Sequence, residues 1–404
     1  MEKETNTSHD VLILYGSQTG TAKEVSEEIC RELICRHLKP KFLAIDKYDM
    51  TSLPNEEIVI FVVSTAGQGE PPDNMRASWQ FLLRKDLATD SLKKVKFSVF
   101  GLGDSVYDKF NAMARKLNQR LRQLGASEFH QRGLADYRDD FGYESEFHPW
   151  LNALWESLAG IFPDRLAKDP LDVSALLPPH YKVKVLDQKS SEVGVCHLTE
   201  LPRPAGAKRE VVLAPMVSNR RTTPDDHFRH VRHVEFDFSG THLTYEPGDV
   251  AIMQPFNDRE VARNFIELMG WNTDWELEIT LNPDYPGVDN IANPFPKSIG
   301  IVELFVSWLD LHGTPNRQFF RMLQHFAKDE QQKHKIEEFI KKTSEGRSEL
   351  HRYAMKERRT FPEIFWDFDS AKPSLEYMIE MIGMMVPREF SITSHPASHP
   401  GRLQ

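Results

Sequence analysis

Ser17-Gln-Thr-Gly-Thr-Ala22 lies between the apolar stretch Val11–Tyr15 and the helical pattern Ala22–Arg36. A helix N-terminus presents free backbone N–H groups and a positive partial charge, which together attract anions. The hydroxyls of the segment add donors, and Gly20 allows a tight turn. The segment has neither the lysine of a nucleotide-hydrolase loop nor a GxGxxG pattern. The sequence therefore predicts a phosphate site here, with an ordinary hydroxyl-capped helix as the alternative.

Two further apolar stretches are each followed by a glycine-rich loop. Ile58–Val63 leads into Ser64-Thr-Ala-Gly-Gln-Gly-Glu-Pro-Pro-Asp-Asn74, and Val95–Phe100 leads into Gly101-Leu-Gly-Asp-Ser-Val-Tyr-Asp-Lys-Phe-Asn111. Glycines leave backbone groups free to bond the edge of a flat heterocycle, and Tyr107 offers an aromatic face for stacking. Glycine-rich turns without a ligand are the alternative. Three such loops at successive strand ends favour a single ligand site, since ligands of open parallel sheets lie outside the carboxyl ends of the strands.

Composition and charge exclude several classes of protein. The chain has 404 residues, of which 40% are apolar and 27% charged, and a net charge of −10. This balance indicates a globular protein and argues against a nucleic-acid binder, which would present basic surfaces. No run approaches the ~20 apolar residues of a membrane span, and residues 1–10 lack an apolar signal core, so we expect a cytosolic protein. Cys30, Cys35 and Cys196 are too few for a disulfide framework.

The chain divides into three parts by pattern. Residues 7–157 alternate strand and helix patterns, which predicts an open parallel sheet with helices on both faces. Residues 158–180 are rich in proline and are expected to form a linker. Residues from about 257 to 380 are mostly helical in pattern, including Gln318–Lys342, and predict a helical insertion in a β domain that spans residues 181–404. The strands expected in that domain are Tyr181–Leu186, Glu210–Val217, His230–Phe238 and Asp249–Gln254.

The segments SQTGTA, STAGQGEPPDN and GLGDSVYDKFN resemble the three FMN loops of the diflavin reductases, the family of cytochrome P450 reductase and methionine synthase reductase. The resemblance implies a flavodoxin-like FMN domain over residues 7–157, in which Tyr107 stacks on the flavin and Asp136 lies near its ribityl chain or ring edge. Cytochrome P450 reductase has a second stacking aromatic where this chain has Ala66, which predicts weaker FMN binding and a shifted redox potential. The implied FMN-binding residues are Ser17, Gln18, Thr19, Gly20, Thr21, Ala22, Ser64, Thr65, Ala66, Gly67, Leu102, Gly103, Asp104, Ser105, Tyr107, Phe110, Asn111 and Asp136.

Two motifs in the second half resemble the FAD domain of the same family. Tyr245-Glu-Pro-Gly-Asp249 resembles its YxPGD segment, and Pro387-Arg-Glu-Phe-Ser-Ile-Thr-Ser394 resembles its RxYSxxS element, with phenylalanine in place of the stacking tyrosine. The resemblance implies a partial β-barrel FAD-binding domain of the ferredoxin-reductase type, in which an arginine fork contacts the pyrophosphate. An amphipathic strand without a ligand is the alternative for the second motif. The implied FAD-binding residues are Arg358, Arg388, Glu389, Phe390 and Ser391.

Within the family, the middle loop and Phe390 most resemble the NADPH-dependent diflavin reductases of cytosolic iron–sulfur assembly. That subfamily passes electrons from NADPH through FAD and FMN to an anamorsin-type iron–sulfur protein, and its cofactors rather than acid, base or nucleophilic side chains carry the chemistry. The family's NADPH-binding module would follow Ser394 and is not present, so we expect that this chain does not oxidise NADPH by itself. The alternative is a non-catalytic form that binds FMN or the redox partner.

Two polar clusters remain open to interpretation. An acidic run near the implied FMN site either steers a basic redox partner or is an ordinary solvated loop. Three histidines recur at a spacing of three residues, and we expect them to be surface or structural residues rather than metal ligands. The acidic run comprises Asp136, Asp139, Asp140, Glu144 and Glu146, and the histidines are His227, His230 and His233.

Overall fold

A computed structural model of the chain describes residues 9–171, 176–186, 212–285, 293–341 and 343–404. Cys196, the first residues of the expected strand Glu210–Val217 and part of the expected linker lie outside the described residues. Among the residues within those ranges, no helix is both long and apolar enough to cross a bilayer.

The N-terminal half is built on one parallel sheet, as its sequence predicts. The strands run in the order β2-β1-β3-β4-β5, and β6 also pairs with β4. The side chains of Ile58–Val63 are all buried, which explains why β3 is apolar at every position rather than at alternate ones. The six strands are β1 (Val11–Gly16), β2 (Pro40–Ala44), β3 (Ile58–Ser64), β4 (Lys96–Gly103), β5 (Ser127–Glu128) and β6 (Gly133–Asp136).

Helices cover both faces of this sheet. Leu12 and Leu14 pack in a core with helix α3 on one face, whereas Val11 and Ile13 pack against α1 and α4 on the other. The two faces follow from the alternation of side chains along a strand. The helices are α1 (Thr21–Cys35), α2 (Arg76–Leu82), α3 (Ala112–Gln123), α4 (Glu144–Ala159) and α5 (Pro163–Leu166), with short 3-10 turns at Ile45–Lys47, Met50–Asn55 and Asp73–Met75.

The described residues of the second half form three small antiparallel sheets. Their strand orders are β7-β11-β12, β8-β9-β14 and β10-β13. The strands are β7 (Tyr181–Leu186), β8 (Met216–Arg221), β9 (Arg232–Asp237), β10 (Val250–Met253), β11 (Glu276–Leu281), β12 (Ile299–Gly300), β13 (Arg388–Ser391) and β14 (Arg402–Leu403).

The predicted insertion is not purely helical, because strand β11 lies inside it and pairs along its full length with β7. Leu277 and Ile279 are buried, whereas Thr280, which follows Ile279, is exposed. Burial of every second side chain is typical of a strand. The first strand of the β region therefore pairs with a segment that lies 90 to 100 positions later in the chain, because Leu186 pairs with Glu276 and Tyr181 pairs with Leu281.

Aromatic side chains form the core of the helical region. Phe320, Phe339 and Phe365 are fully buried within it. Within the segment Gln318–Lys342, which has a helical pattern, the described residues form two helices, because Asp329 accepts hydrogen bonds from the backbone N–H groups of Gln331 and Gln332 and starts a new one. The helices are α6 (Arg259–Leu268), α7 (Ile301–Glu303), α8 (Arg317–Leu323), α9 (Glu330–Ile340), α10 (Ser344–Leu350), α11 (Phe361–Asp367) and α12 (Leu375–Met381), with π-helical turns at Leu304–Trp308 and His351–Lys356.

Ion pairs join the helical region to the N-terminal sheet domain. Arg321 lies 2.9 Å from Glu28 on α1, and each side chain is only 12% exposed. Arg31 of α1 pairs with Glu380 of α12 at 3.1 Å, and Arg317 pairs with Glu144 of α4 at 2.9 Å. These contacts fix the helical region against α1 and α4, beside the carboxyl edge of the parallel sheet.

Candidate functional site

The loop between β1 and α1 leaves the start of the helix open. Gly20 is the N-cap of α1 with φ of 103°, and no side chain caps the helix. A Cβ added to Gly20 would meet no atom within 4 Å. The hydroxyls of Thr19 and Thr21 make no hydrogen bond with any residue that the structure describes. The loop therefore provides an uncapped helix N-terminus, free hydroxyl donors and room for an anion.

The middle loop holds this phosphate loop in shape. The backbone N–H of Ser17 donates to Oδ1 of the buried Asn74 at 2.9 Å, and the Ser17 hydroxyl accepts from the N–H of Gly20 at 2.9 Å. The Gln18 side chain accepts from the N–H of Asp73 at 3.0 Å. Asn74 was not among the residues expected at the site, although it ends the glycine-rich segment that marks the loop.

The middle loop itself is a tight, glycine-dependent turn. Ala66 donates its N–H to Glu70 at 3.0 Å across a turn in which Gly67 and Gly69 have positive φ. A Cβ on Gly69 would lie 2.9 Å from the Cβ of Lys109, so only glycine lets the middle and third loops approach this closely. The structure thus brings the expected residues Ser64–Gly67 beside the third loop.

The third loop presents an aromatic ring to solvent. Tyr107 is 60% exposed, so its ring is accessible to a flat ligand. Asn111 lies behind the loop instead, fully buried, with its side-chain amide donating to the carbonyl of Ala135 at 2.9 Å. Gly103 admits this arrangement, because a Cβ there would lie 2.9 Å from the Asn111 nitrogen. Asn111 therefore supports the loop from within, while Tyr107 faces outward.

Asp136, at the end of β6, ties the third loop to the loop that follows it. Its Oδ1 accepts hydrogen bonds from the N–H groups of Ser105 and Arg138, each at 3.0 Å. Desolvation works to raise the pKa of Asp136, but these hydrogen bonds outweigh it and hold the pKa below its usual value. Asp136 is therefore a charged carboxylate beside the third loop.

The residues of the three loops fit FMN. The uncapped start of α1 suits its phosphate, and the exposed ring of Tyr107 suits its flat isoalloxazine. The expected residues of the three loops lie at the carboxyl ends of β1, β3 and β4, which are neighbouring strands of the sheet. This is the edge at which open α/β sheets bind their ligands.

Strand β13 carries the second group of expected residues. Phe390 is 52% exposed and pairs across the sheet with Ala251 of β10. The Arg388 guanidinium is 45% exposed and donates to Asp310 at 3.0 Å. Ser391 pairs with Val250, and its hydroxyl makes no hydrogen bond with any described residue. An exposed aromatic ring, an oriented guanidinium and a free hydroxyl on one strand are a donor set that fits FAD.

The two motifs quoted for the second half meet in space. The Tyr245 hydroxyl lies 2.7 Å from the hydroxyl of the buried Ser394, which also accepts from the N–H of Gln404 at 3.1 Å. Gly248, with φ of 100°, makes the turn between Tyr245 and strand β10. Neither Tyr245 nor Ser394 was expected to bind a cofactor. Their hydrogen bond joins the segment before β10 to the segment after β13.

Arg358 lies apart from this group. It is exposed, follows the second π-helical turn and has φ of 52°. No hydrogen bond or ion pair within the described residues joins it to Arg388 or to the rest of β13. Arg388, Glu389, Phe390 and Ser391 lie together on strand β13, whereas Arg358 lies on a different element, and its place at the FAD site stays a prediction.

The acidic run divides into two groups. Asp139 and Asp140 are exposed, whereas Glu144 is 15% exposed and paired with Arg317. Of the three histidines, His233 lies 2.7 Å from Glu235, and His227 bonds to its own turn. No cluster of metal-ligating side chains occurs among the residues that the structure describes.

Two sequence families match the chain. The flavodoxin family matches residues 13–150, and the FAD-binding domain family matches residues 204–404. Their limits agree with the parallel-sheet domain and with the β region that carries β13. The first match confirms the predicted flavodoxin-like fold, and the two together show FMN and FAD as the cofactors.

Several curated proteins are similar to the chain over nearly its whole length. Proteins named NADPH-dependent diflavin oxidoreductase 1 from Danio rerio and Bos taurus are each 37% identical over 98% of this chain. The protein of the same name from Arabidopsis thaliana is 34% identical over 97% of it. The chain spans about two thirds of the length of these relatives: 66% of the first two and 65% of the third.

Proposed function

We propose, from the premise that this chain belongs to the diflavin oxidoreductase family, that it is an electron-transfer protein of cytosolic iron–sulfur cluster assembly. In this function electrons pass from NADPH through FAD and FMN to an anamorsin-type iron–sulfur protein. The names of the relatives support the use of NADPH and two flavins. We infer the acceptor and the cytosolic location from the resemblance of the loop sequences.

One contact carries the proposal. The side-chain amide of Gln18, in the phosphate loop, donates to the carboxylate of Glu389, on strand β13, at 3.4 Å. Gln18 and Glu389 are 371 positions apart in the chain and belong to the two different cofactor sites. This contact supports the proposal, because it brings Gln18 of the phosphate loop and Glu389 of strand β13 together, and transfer between two bound cofactors requires such proximity.

When bound, the flavins supply the redox chemistry, since they accept hydride from a nicotinamide and release electrons singly. The protein contributes binding and orientation. The start of α1, with the hydroxyls of Thr19 and Thr21, binds the phosphate of FMN, and Tyr107 covers the flavin ring. Arg388, oriented by Asp310, binds the pyrophosphate of FAD, and Phe390 stacks on its ring.

The exposed carboxylates near the FMN loops favour a basic docking surface on the acceptor. Asp139 and Asp140 are exposed and follow Asp136, whose carboxylate is charged. A chain of net charge −10 attracts a positively charged surface over several ångströms at low ionic strength. We therefore propose that the acceptor docks at this loop, next to Tyr107.

The experiment feeds electrons to the chain photochemically, so that the result does not depend on how electrons enter. The flavin-loaded chain is reduced under anaerobic conditions and mixed in a stopped-flow instrument with an oxidised anamorsin-type iron–sulfur protein. We expect the visible absorption of the iron–sulfur cluster to bleach faster than with the same concentration of free reduced FMN. The double variant D139N/D140N should slow this reaction at low salt and have little effect at high salt.

Two results would contradict the proposal in different ways. Bleaching no faster than with free FMN would show that the chain does not serve this acceptor. Tight binding of the acceptor without electron transfer would favour a binding protein over a redox protein. As a matched control, D86N removes an exposed carboxylate remote from the FMN loops and should leave the rate unchanged.

A further inference from the structure

The loop that follows β6 is held by side chains from the helical region. This loop, residues 137–143, connects Asp136 to α4 and is here called the flavin-edge loop. Gly142 of this loop has φ of 55°, a left-handed conformation that glycine adopts without strain. Two arginines of that region contact the loop and the first residue of α4, although they lie more than 170 positions later in the chain.

The first contact is a cation–π interaction. The guanidinium carbon of Arg347, on α10, lies 5.0 Å from the ring centroid of Phe141. Arg347 is half-buried, its Nε is buried without a hydrogen bond, and no carboxylate among the described residues pairs with it. An arginine in that position would ordinarily be paired with an anion. The ring of Phe141 is therefore the main partner that the described residues offer it.

The second contact anchors the end of the flavin-edge loop. Nε of the buried Arg317 donates to Oε2 of Glu144 at 3.1 Å, and its Nη1 donates to the carbonyls of Phe339 and Lys341 at 3.0 and 2.8 Å. The other neighbour of this carboxylate, His148, lies 3.6 Å away, which is long for a hydrogen bond. Arg317 thus fixes Glu144 to the helical region, and Arg347 contacts Phe141, which lies three residues earlier in the chain.

The other end of the flavin-edge loop is tied to the FMN loops. Tyr137 donates its N–H to the carbonyl of Gly103 at 2.8 Å, and Asp136 accepts from the N–H of Ser105 at 3.0 Å. A displacement of Phe141 would therefore also move the loop that bears Tyr107, because a short, hydrogen-bonded segment joins the two. The geometry of the third FMN loop depends on what holds Phe141 in place.

We propose that Arg347 is a positioning residue for FMN: through Phe141, it holds the flavin-edge loop against the third FMN loop. The helical region then sets the shape of the FMN pocket as well as the distance between the domains. The inference rests on the proposed function only in that it needs FMN to bind at the three loops.

The test measures FMN binding to the complete 404-residue chain, prepared free of flavin, by fluorescence titration. Arg347→Met removes the charge and keeps an apolar stem, Arg347→Lys keeps the charge, and Phe141→Leu removes the aromatic face. We expect Arg347→Met and Phe141→Leu each to raise the Kd for FMN about two- to fivefold, as loss of a cation–π contact implies. The double variant should be no weaker than either single variant, and Arg347→Lys should recover part of the affinity.

A matched control and a spectroscopic signal separate positioning from general stability. Arg352→Met changes an exposed arginine on the next turn, whose one ion-pair partner among the described residues is Glu349, and should leave the Kd unchanged. The visible circular dichroism of bound FMN should change in Arg347→Met and Phe141→Leu alone. Unchanged Kd and spectrum in both variants, or additive effects in the double variant, would overturn the inference. A wild-type chain that binds no FMN would instead overturn the proposed function. If Arg347→Met does not fold, Phe141→Leu and Arg347→Lys still decide the question.

Discussion

Thr21 shows how much of the FMN site depends on single side chains. It is the first residue of α1, directly after Gly20, and its hydroxyl is free. A hydroxyl at this position can donate to a phosphate that already accepts hydrogen bonds from the backbone of the helix start. The neighbouring Thr19 is exposed and lies farther from the helix.

Thr21→Val removes this donor and leaves the shape of the side chain nearly unchanged. Since a hydrogen bond to a charged group contributes about 1.5–3 kcal/mol, we expect the Kd for FMN to rise at least about tenfold. The affinity for riboflavin, which has no phosphate, should not change. Thr280→Val, at an exposed position of β11, is the matched control. An equal loss of affinity for both flavins would show that Thr21 does not face the phosphate.

At this scale the sequence predicts the positions of the loops well, but it does not predict the residues that hold the loops in place. Ser17–Ala22 and the glycine-rich loops are local patterns, so their positions at strand ends follow from the strand–loop–helix alternation. The roles of Asn74 and Ser394 depend on partners 57 and 149 positions away. No pattern in one sequence indicates such pairings.

The elements of the helical region illustrate a second limit of prediction. The apolar spacing over Gln318–Lys342 is helical on both sides of Asp329. The break depends on capping by Asp329 and on the Ser370 hydroxyl, which accepts from the N–H groups of Lys328 and Asp329 at 3.1 Å each. An aspartate followed three residues later by a glutamine is a helix-start signal that the apolar period alone does not reveal. Strand β11 was missed for the opposite reason, since it is a short alternating segment within a long helical pattern.

The contact between α8 and α4 makes a prediction about stability. Arg317→Met leaves Glu144 largely buried and charged without its main partner, so unfolding in denaturant should become easier by about 3–5 kcal/mol. The double variant R317M/E144Q removes the charge as well and should lose less. If the double variant were as unstable as the single one, the loss would come from packing rather than from the unpaired carboxylate.

The same pair predicts how stability depends on pH. Burial works to raise the pKa of Glu144, but His148 and Arg317 outweigh it and lower the pKa from 4.5 to about 2. A lowered pKa means that the carboxylate stabilises the fold above about pH 4.5, and that this contribution is lost as the pH falls toward 2. In acid titrations followed by circular dichroism, E144Q should be less stable than wild type at pH 6 and should lose less stability between pH 4.5 and 2.

At the scale of the whole molecule, ion pairs join α1 of the parallel-sheet domain to the helical region. Glu28 and Arg321 are both nearly buried, so their attraction is only weakly screened by salt. Arg31, which is also on α1, forms a second ion pair with Glu380 of α12. The relative position of the FMN loops and the FAD strand therefore depends on charge complementarity between the two halves.

Reversal of one charge should separate the halves. Glu28→Arg places two arginines together at a buried contact, and we expect the radius of gyration from small-angle X-ray scattering to increase. Arg321→Glu should have the same effect, and the double variant E28R/R321E should restore the compact form. Lys93→Glu, in an exposed ion pair, is the control and should change nothing. An unchanged radius in both single variants would show that these charges do not hold the halves together.

The central claim is that three loops at the edge of the parallel sheet bind one FMN, beside a strand that binds FAD. The most direct test is the visible absorption spectrum of the purified chain, with the released flavins identified by chromatography. The account predicts a yellow protein that carries about one FMN per chain, and FAD bound in addition or taken up when supplied. A colourless chain that also fails to take up added FMN would contradict it.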